Sequence, residues 1–485
     1  MTMAIQMPDI NLALMLPEIV ISVVAMGLLL ASAWWEGAEG ARRIRRIAAG
    51  ALMVAMVITL LGVGATQSST FGGMFVNDRF AAFMKVMLYL STLLPMVVSW
   101  VYLEKSKLGN GEYFVLTLFA MLGGMFMISS GSFLVLYLGI ELLSLAIYVL
   151  AAYKRDDLAS NEAGLKYFVL GSMASGILLY GISLIYGVTG SVDFATINAY
   201  LQQDHHSMLG ITMGLILVVS GLSFKIAAAP FHMWAPDVYE GAPTSVTAFM
   251  AAMPKIAAFA ALFRVLVEAF GPMHATWGPI MALLAVVSMG VGALAGLGQS
   301  NIKRLLAYSS IGHVGYALIG LAVGNQMGYE AVLVYLTIYI FMNVGAFGLI
   351  LVLNKEGFGD QIEDYKGLSA KRPGLALLMA IFMFSMAGIP PLAGFMAKLQ
   401  IFMAAIDAHM YTVAILGVLF SAVSAFYYLK VIKTMYFDEA ERAFDMPMDF
   451  LSRAIVGVSG ILVVLWGILP GSLMASVAET IKSLM

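Results

Sequence analysis

No cysteine occurs among the 485 residues, which excludes disulfides and thiolate-held iron–sulfur clusters and leaves the chain no evident redox centre of its own. Charge is scarce too: Asp, Glu, Lys and Arg make up 11% of the chain, where a soluble domain carries roughly a quarter. The net charge of -2 comes with no basic patch that would suit nucleic acid. There is no P-loop, no dinucleotide glycine fingerprint after a strand, and no nucleophile elbow. The opening "MTMAIQMPDI" lacks the basic start and small-residue cleavage site of a secretory signal. What the chain has is apolar residues, at 61%. Runs long enough to span a bilayer recur from end to end, and no stretch is polar enough for a separate soluble domain. The expectation is an all-α integral membrane protein.

Runs of about 20 apolar residues predict fourteen helices. They lie near 11–34, 47–66, 79–103, 113–130, 132–152, 162–188, 210–233, 243–270, 276–297, 302–322, 329–354, 373–405, 410–430 and 452–479. Basic residues test this count. The loops 39–46, 104–109, 153–157, 301–305 and 354–372 and the segment 430–453 hold 18 of the 26 Lys and Arg. With fourteen spans they all fall on one side, which the positive-inside rule makes cytoplasmic. Both termini are then expected on the periplasmic side.

Two spans carry internal breaks, around Pro230 and at "AGIPPLAGF" (387–395). Interrupted spans at corresponding places in two halves point to a transporter's ion path. The expected organisation is an N-terminal three-helix segment (1–110), five-helix units at 111–271 and 272–436, and a C-terminal helix (437–485). Five is odd, so the two units would run inverted to one another.

Most remaining charges sit near helix ends. Arg79, Lys166 and Lys482 lie there, while Lys85 and Arg264 are within reach of an interface to which a long side chain can snorkel. Lys225, Lys255 and Lys398 are deep in their spans. Glu141 in "YLGIELLSLAIY" and Glu268 near a helix end accompany them, and His313 in "SSIGHVGY" falls near mid-membrane. A charged side chain at the bilayer centre costs at least about 2.5–3.5 kcal/mol. Three lysines on three helices with one central carboxylate are too many for a single structural ion pair, although that reading stays open for Glu268 or Lys85 individually. Desolvated lysine releases its proton more readily, and a nearby carboxylate reverses this. A Glu141–Lys225 contact that forms and breaks would therefore switch proton affinity. Lysine, lysine, histidine and lysine joined by water would make a conduction line, entered near Lys225 and left near Lys398. Prolines 230 and 254 free backbone carbonyls for water or a cationic head group. His232 reads as a hydrogen-bonded interface histidine. His205 and His206 sit in a polar loop without partners at metal spacing. The 36 methionines read as packing, and "GVGALAGLG" as close helix contact.

"FKIAAAPFHMWAPDVYEGAPTSVTAFMAAMPKIAAF", "QSNIKRLLAYSSIGHVGYALIG" and "AGIPPLAGFMAKLQIF" resemble the subunit N family of bacterial NADH–quinone oxidoreductase, respiratory complex I, over most of the chain. The mitochondrial counterpart is NADH dehydrogenase subunit 2. "PFHMWAPDVYEGAP" separates this family from the sister subunits L and M. The resemblance implies fourteen helices with two inverted five-helix repeats. It implies a proton-pumping module driven by quinone reduction elsewhere, with functional positions at Glu141, Lys225, Lys255 and Lys398 and His313 as a central relay member. NADH, FMN, iron–sulfur clusters and quinone would be handled by other subunits, with subunit M on one side and K and J on the other. The expected location is the bacterial cytoplasmic membrane. Competing readings are a free-standing cation/proton antiporter and an inert scaffold.

Overall fold

The computed structural model describes residues 10–62, 68–203, 208–354, 358–439 and 448–484. His205 and His206 lie outside the described residues. Among those described, thirteen helices are long and apolar enough to cross a membrane. The halves Pro373–Ala387 and Ala393–Asp407 together supply the fourteenth crossing. A two-stranded hairpin, Ser68–Thr70 with Phe75–Asn77, interrupts the helical pattern in one connection.

The helices used below are α1 (Leu16–Ser32), α2 (Gly37–Leu61), α3 (Arg79–Val98), α4 (Gly111–Ile128), α5 (Phe133–Ala151), α6 (Leu158–Thr189) and α7 (Met208–Ile226). They continue with α8 (Trp234–Gly241), α9 (Thr244–Met250), α10 (Met253–Phe263), α11 (His274–Leu297), α12 (Ile302–Val323) and α13 (Gln326–Leu353). The last are α14 (Pro373–Ala387), α15 (Ala393–Asp407), α16 (Tyr411–Phe437), α17 (Phe450–Ile468) and α18 (Gly471–Lys482). Polar caps set several starts: Asp78 accepts from Ala81 N at 2.6 Å, and Asn301 from Lys303 N at 2.9 Å and Arg304 N at 3.1 Å. Glycines 190 and 324 end helices with φ of 69° and 72°, a conformation that costs a side chain.

Proline decides where spans break, because it lacks an N–H and its ring displaces the carbonyl four residues back. The span expected over 210–233 stops at Ile226, ahead of Pro230, and resumes as α8. The span expected over 243–270 divides into α9 and α10 at Ala251–Ala252, with Pro254 in the first turn of α10, and ends in a π turn at Arg264–Ala269. The helix expected over 452–479 stops at Ile468 and restarts after Pro470. "EGARRIRR" is not a loop: α2 begins at Gly37 and runs through it, since alanine and arginine favour helix.

Five spans lie between Gly111 and Ala269 and five between His274 and Phe437. In each unit the fourth is discontinuous, and an odd number of crossings inverts one unit against the other. The first two helices of each unit pack through glycine. A Cβ at Gly292 would meet Gly312 N at 2.6 Å and Tyr308 O at 2.7 Å, so α11 and α12 approach backbone to backbone. The windows of α9–α10, α12 and α13 are almost wholly buried, whereas α1, α16 and α17 keep most of theirs on the outside. Lys255 and His313 are thus carried by the most enclosed helices in the molecule.

Candidate functional site

Lys225 sits one residue before α7 ends and is 5% exposed. Its Nζ donates to Ser144 Oγ at 2.7 Å and lies 3.5 Å from Tyr148 OH. Ser144 in turn donates to Ile140 O at 2.5 Å, which leaves its oxygen to accept from the lysine. Glu141 lies one turn before Ser144 on α5 and accepts from Ser175 of α6. No ion pair joins Glu141 to Lys225; each is held by its own serine. The break beyond Lys225 is closed without it. Ala228 N donates to Ser223 O at 2.9 Å, Ala229 N to Ser288 Oγ at 2.8 Å and Trp234 Nε1 to Phe224 O at 3.0 Å.

Lys255 follows the break between α9 and α10. It is 3% exposed, and its Nζ has no hydrogen-bond partner among the described residues. The rings of Tyr239 and Tyr339 lie 5.6 and 5.7 Å from that Nζ. His313 on α12 has a tyrosine at each ring nitrogen: Tyr335 OH is 2.6 Å from Nδ1 and Tyr428 OH is 3.2 Å from Nε2.

Lys398 on α15 reaches back to the half-helix before it. Its Nζ donates to Met386 O at 3.0 Å, Ala387 O at 3.1 Å and Ser421 Oγ at 2.9 Å. Those carbonyls stand four residues before Pro390 and Pro391, so they are the ones the prolines release. A cation at a helix C-terminus also complements the dipole. The expected capture of freed carbonyls by a cationic head group thus occurs at this break, not at Pro230 or Pro254.

Two small cavities flank His313. One, of about 10 Å³, is lined by Lys255, Phe259, His313 and Tyr339 among others. The other, also about 10 Å³, is lined by His313, Tyr316, Lys398 and Tyr428. Each has the room of about one water. Lys255, His313 and Lys398 are therefore brought together. Lys225 lines neither cavity.

The snorkelling expected of Lys85 and Arg264 does not occur. Arg264 is fully buried and binds both oxygens of Asp78, at 2.8 and 2.9 Å, with Ile128 O at 3.0 Å and Glu268 beside it. Lys85 pairs with Glu18 at 2.6 Å, both side chains 1% exposed. Acidic partners from a distant loop and from α1 make burial affordable, so neither cation has to reach water. A structural ion pair stays open for Lys85 and for Glu268 in the sequence, but their partners, Glu18 and Arg264, and the tyrosines around His313 were not foreseen from it. Their signal was an acid inside an apolar run at Glu18, and Tyr335, Tyr339 and Asn343 spaced four apart along α13.

The "PFHMWAPDVYEGAP" segment folds over the start of α6 and the start of α12. Asp237 receives Lys166 at 2.7 Å and Arg304 at 2.7 Å, and Arg304 also reaches Glu240 at 2.9 Å. Burial works to raise the Asp237 carboxyl, but the Lys166 and Arg304 hydrogen bonds prevail and hold it below the usual carboxylate range. His232 lies in the turn between α7 and α8. Its ring interacts with the Pro230 backbone. Among the described residues no group of three His, Asp or Glu is placed to hold a metal ion.

Residues 130–424 match a family described as NADH:quinone oxidoreductase/Mrp antiporter, TM. The chain is 48% identical to NADH-quinone oxidoreductase subunit N of Paramagnetospirillum magneticum, covering 96% of each. It is 47% identical to the subunit of that name from Parvibaculum lavamentivorans, covering 97% of each. Among solved structures, it is similar to a chain of respiratory complex I from Thermus thermophilus with bound aureothin. That match has a TM-score of 0.83 and 34% identity over 96% of this chain and 99% of that one. A chain of the Mrp complex from Dietzia sp. shares the fold, with a TM-score of 0.81 at 22% identity over 97% and 99%. With near-full-length relatives this similar and the broken-helix fold in common, the chain belongs to the NADH-quinone oxidoreductase subunit N family of antiporter-like membrane proteins.

Proposed function

We propose that this chain is a proton-translocating module of complex I in the bacterial cytoplasmic membrane, with both termini on the periplasmic side. Its relay is Glu141, Lys225, Lys255, His313 and Lys398. The observation that supports this most is the placement of His313 between two water-sized cavities, one touching Lys255 and the other Lys398. A histidine with a hydroxyl at each nitrogen can take a proton on one side and give it up on the other. Lys225 and Glu141, each held by its own serine, Ser144 on α5 and Ser175 on α6, form the input switch. When the ammonium moves from Ser144 to Glu141, the ion pair holds its proton; when it returns, the proton is easier to release. Quinone reduction by other subunits, which carry NADH, FMN, iron–sulfur and quinone chemistry, drives the cycle. Subunit M lies on one side and K and J on the other.

The test is proton pumping by the assembled complex in vesicles. Lys225→Ala and Glu141→Ala leave the complex assembled and NADH oxidation coupled to quinone, and lower the protons moved per NADH. Wild-type pumping in both variants would eliminate the relay.

A further inference from the structure

Four arginines stand in the second and third turns of α2, and their spacing divides them into two pairs. Arg42 and Arg45 are engaged by the segment that follows α3. Arg42 pairs with Glu104 at 3.1 Å, and the Arg45 guanidinium lies 3.2 Å over the ring of Trp100. Arg43 and Arg46 are left on the outer face. Both are exposed, and neither has an ion pair or hydrogen bond among the described residues.

The same face of α2 continues past them with Ile47, Met53, Val54, Val57, Leu60 and Leu61, every one exposed. From Ile47 to Leu61 this stripe runs about 21 Å at 1.5 Å per residue. One leaflet's share of the hydrocarbon core is only about 15 Å. Thr59 is the one polar side chain of α2 beyond Arg46, and it is turned inward. Its hydroxyl donates to Ala55 O at 2.8 Å and lies 3.1 Å from Tyr89 OH. Trp34 and Trp35 are exposed in the turn just before α2, and Val23, Met26, Leu29 and Leu30 extend the apolar surface onto α1. Tryptophan marks the level of the headgroups in a bilayer.

These features specify a ligand. Two guanidiniums three residues apart on a helix start from Cβ atoms about 5–6 Å apart, close enough to hold one phosphate between their forks. Directly beyond that phosphate the protein offers hydrocarbon and no polar group, for longer than one acyl chain needs. A zwitterionic headgroup would bring its own cation against the two arginines, whereas an acidic one would not. We propose that Arg43 and Arg46 bind the phosphate of an acidic phospholipid whose acyl chains lie along the exposed stripe of α2. Helices α1 and α2 keep most of their surface outside the rest of the fold, so the lipid supplies contacts that the chain itself lacks there. The anchorage reaches a buried ion pair, because α1 carries Glu18, the partner of Lys85. None of the relay residues takes part, so the site stands or falls independently of proton translocation.

The experiment uses the whole complex, stripped of lipid in detergent and returned to vesicles of phosphatidylcholine alone or of phosphatidylcholine with phosphatidylglycerol. Phosphatidylglycerol should raise the melting temperature of the wild type and stay bound through washing. Arg43→Gln combined with Arg46→Gln should hold it roughly 25-fold more weakly, at about fivefold for each basic residue beside an anionic headgroup, and lose the shift. Lysine at both positions should keep most of the retention. Arg42→Gln, whose native side chain is already taken by Glu104, should keep all of it. NADH oxidation coupled to quinone should be unchanged throughout, and cryo-electron microscopy should show a headgroup between Arg43 and Arg46 with chains along the stripe. If the double glutamine variant retains phosphatidylglycerol like the wild type, or melts below it in phosphatidylcholine alone, the two arginines are not a lipid site. If inorganic phosphate in phosphatidylcholine vesicles gives the same shift, the ligand is a free phosphate. If the density is an acidic segment of a neighbouring subunit, the face is a protein interface. Each of these results overturns the proposal.

Discussion

Two regions of this protein bury cations at equal depth and treat them in opposite ways. Toward the connections at 68–78 and 128–133, Arg264 and Lys85 are fully enclosed, yet each faces carboxylates: Asp78 and Glu268 for one, Glu18 for the other. Along the central line, Lys225, Lys255 and Lys398 are buried as deeply, and none has a carboxylate within ion-pair distance. They rest on a serine, on nothing among the described residues, and on two carbonyls with a serine. A cation fixed between carboxylates cannot give up its proton without stranding an anion. A lysine on neutral groups can, because those groups tolerate amine and ammonium alike. The first region holds helices together, and the second is the one on which the proposed relay depends.

The largest effect should come from breaking the first region. Arg264 ties the start of α3 through Asp78 and the end of α4 through Ile128 O to the end of the α10 span. Arg264→Leu leaves Asp78 buried with no counter-charge of its own, and removing one member of a buried pair costs about 3–5 kcal/mol. The variant complex should lose this subunit, or melt well below the wild type, on native gels and in thermal denaturation. If Arg264→Leu assembles and melts normally, the division between structural and mobile cations is wrong.

Lys398 is the intermediate case and sharpens the contrast. It belongs to the central line, yet it also caps α14. Lys398→Met leaves Met386 O without a donor and Ala387 O with only the Ser421 hydroxyl at 3.5 Å, at about 1–3 kcal/mol for a carbonyl that stays dry. Both stability and pumping should fall, whereas Lys225→Ala, whose break is closed by other groups, should affect pumping alone. The measurement is melting temperature set against protons per NADH for both variants. Equal melting temperatures would show that water replaces the ammonium at the α14 end and that Lys398 has no capping role.

How much of this could be read beforehand follows the same division. The spans were legible because a bilayer demands long apolar runs, and the breaks because proline cannot continue a helix. The three lysines stood out because nothing in a membrane hides a lone charge. The partners were not legible. Asp78 comes from a connection, Glu18 from the first span and Ser144 from a helix 81 positions away from Lys225, and no local pattern links them. Hence Lys85 and Arg264 looked like snorkelling side chains until their acids were seen. The four-residue spacing of Tyr335, Tyr339 and Asn343 was readable as one face of a helix. Its meaning depended on which helices that face would meet.

The smallest effect should come from replacing a whole structural pair. Glu18 and Lys85 approach at 2.6 Å, and beyond that contact neither Glu18 oxygen has a directional hydrogen bond among the described residues. Each charge is therefore kept for the other. Lys85→Met alone strands a buried carboxylate and should destabilise the subunit by an amount approaching that of Arg264→Leu. Adding Glu18→Leu removes the stranded charge and fills similar volume with apolar groups, and such exchanges are often neutral or favourable. The double variant should assemble, melt within a few degrees of the wild type and pump at the normal ratio. A double variant that is stable but pumps poorly would move Glu18 and Lys85 from the structural region into the conducting one.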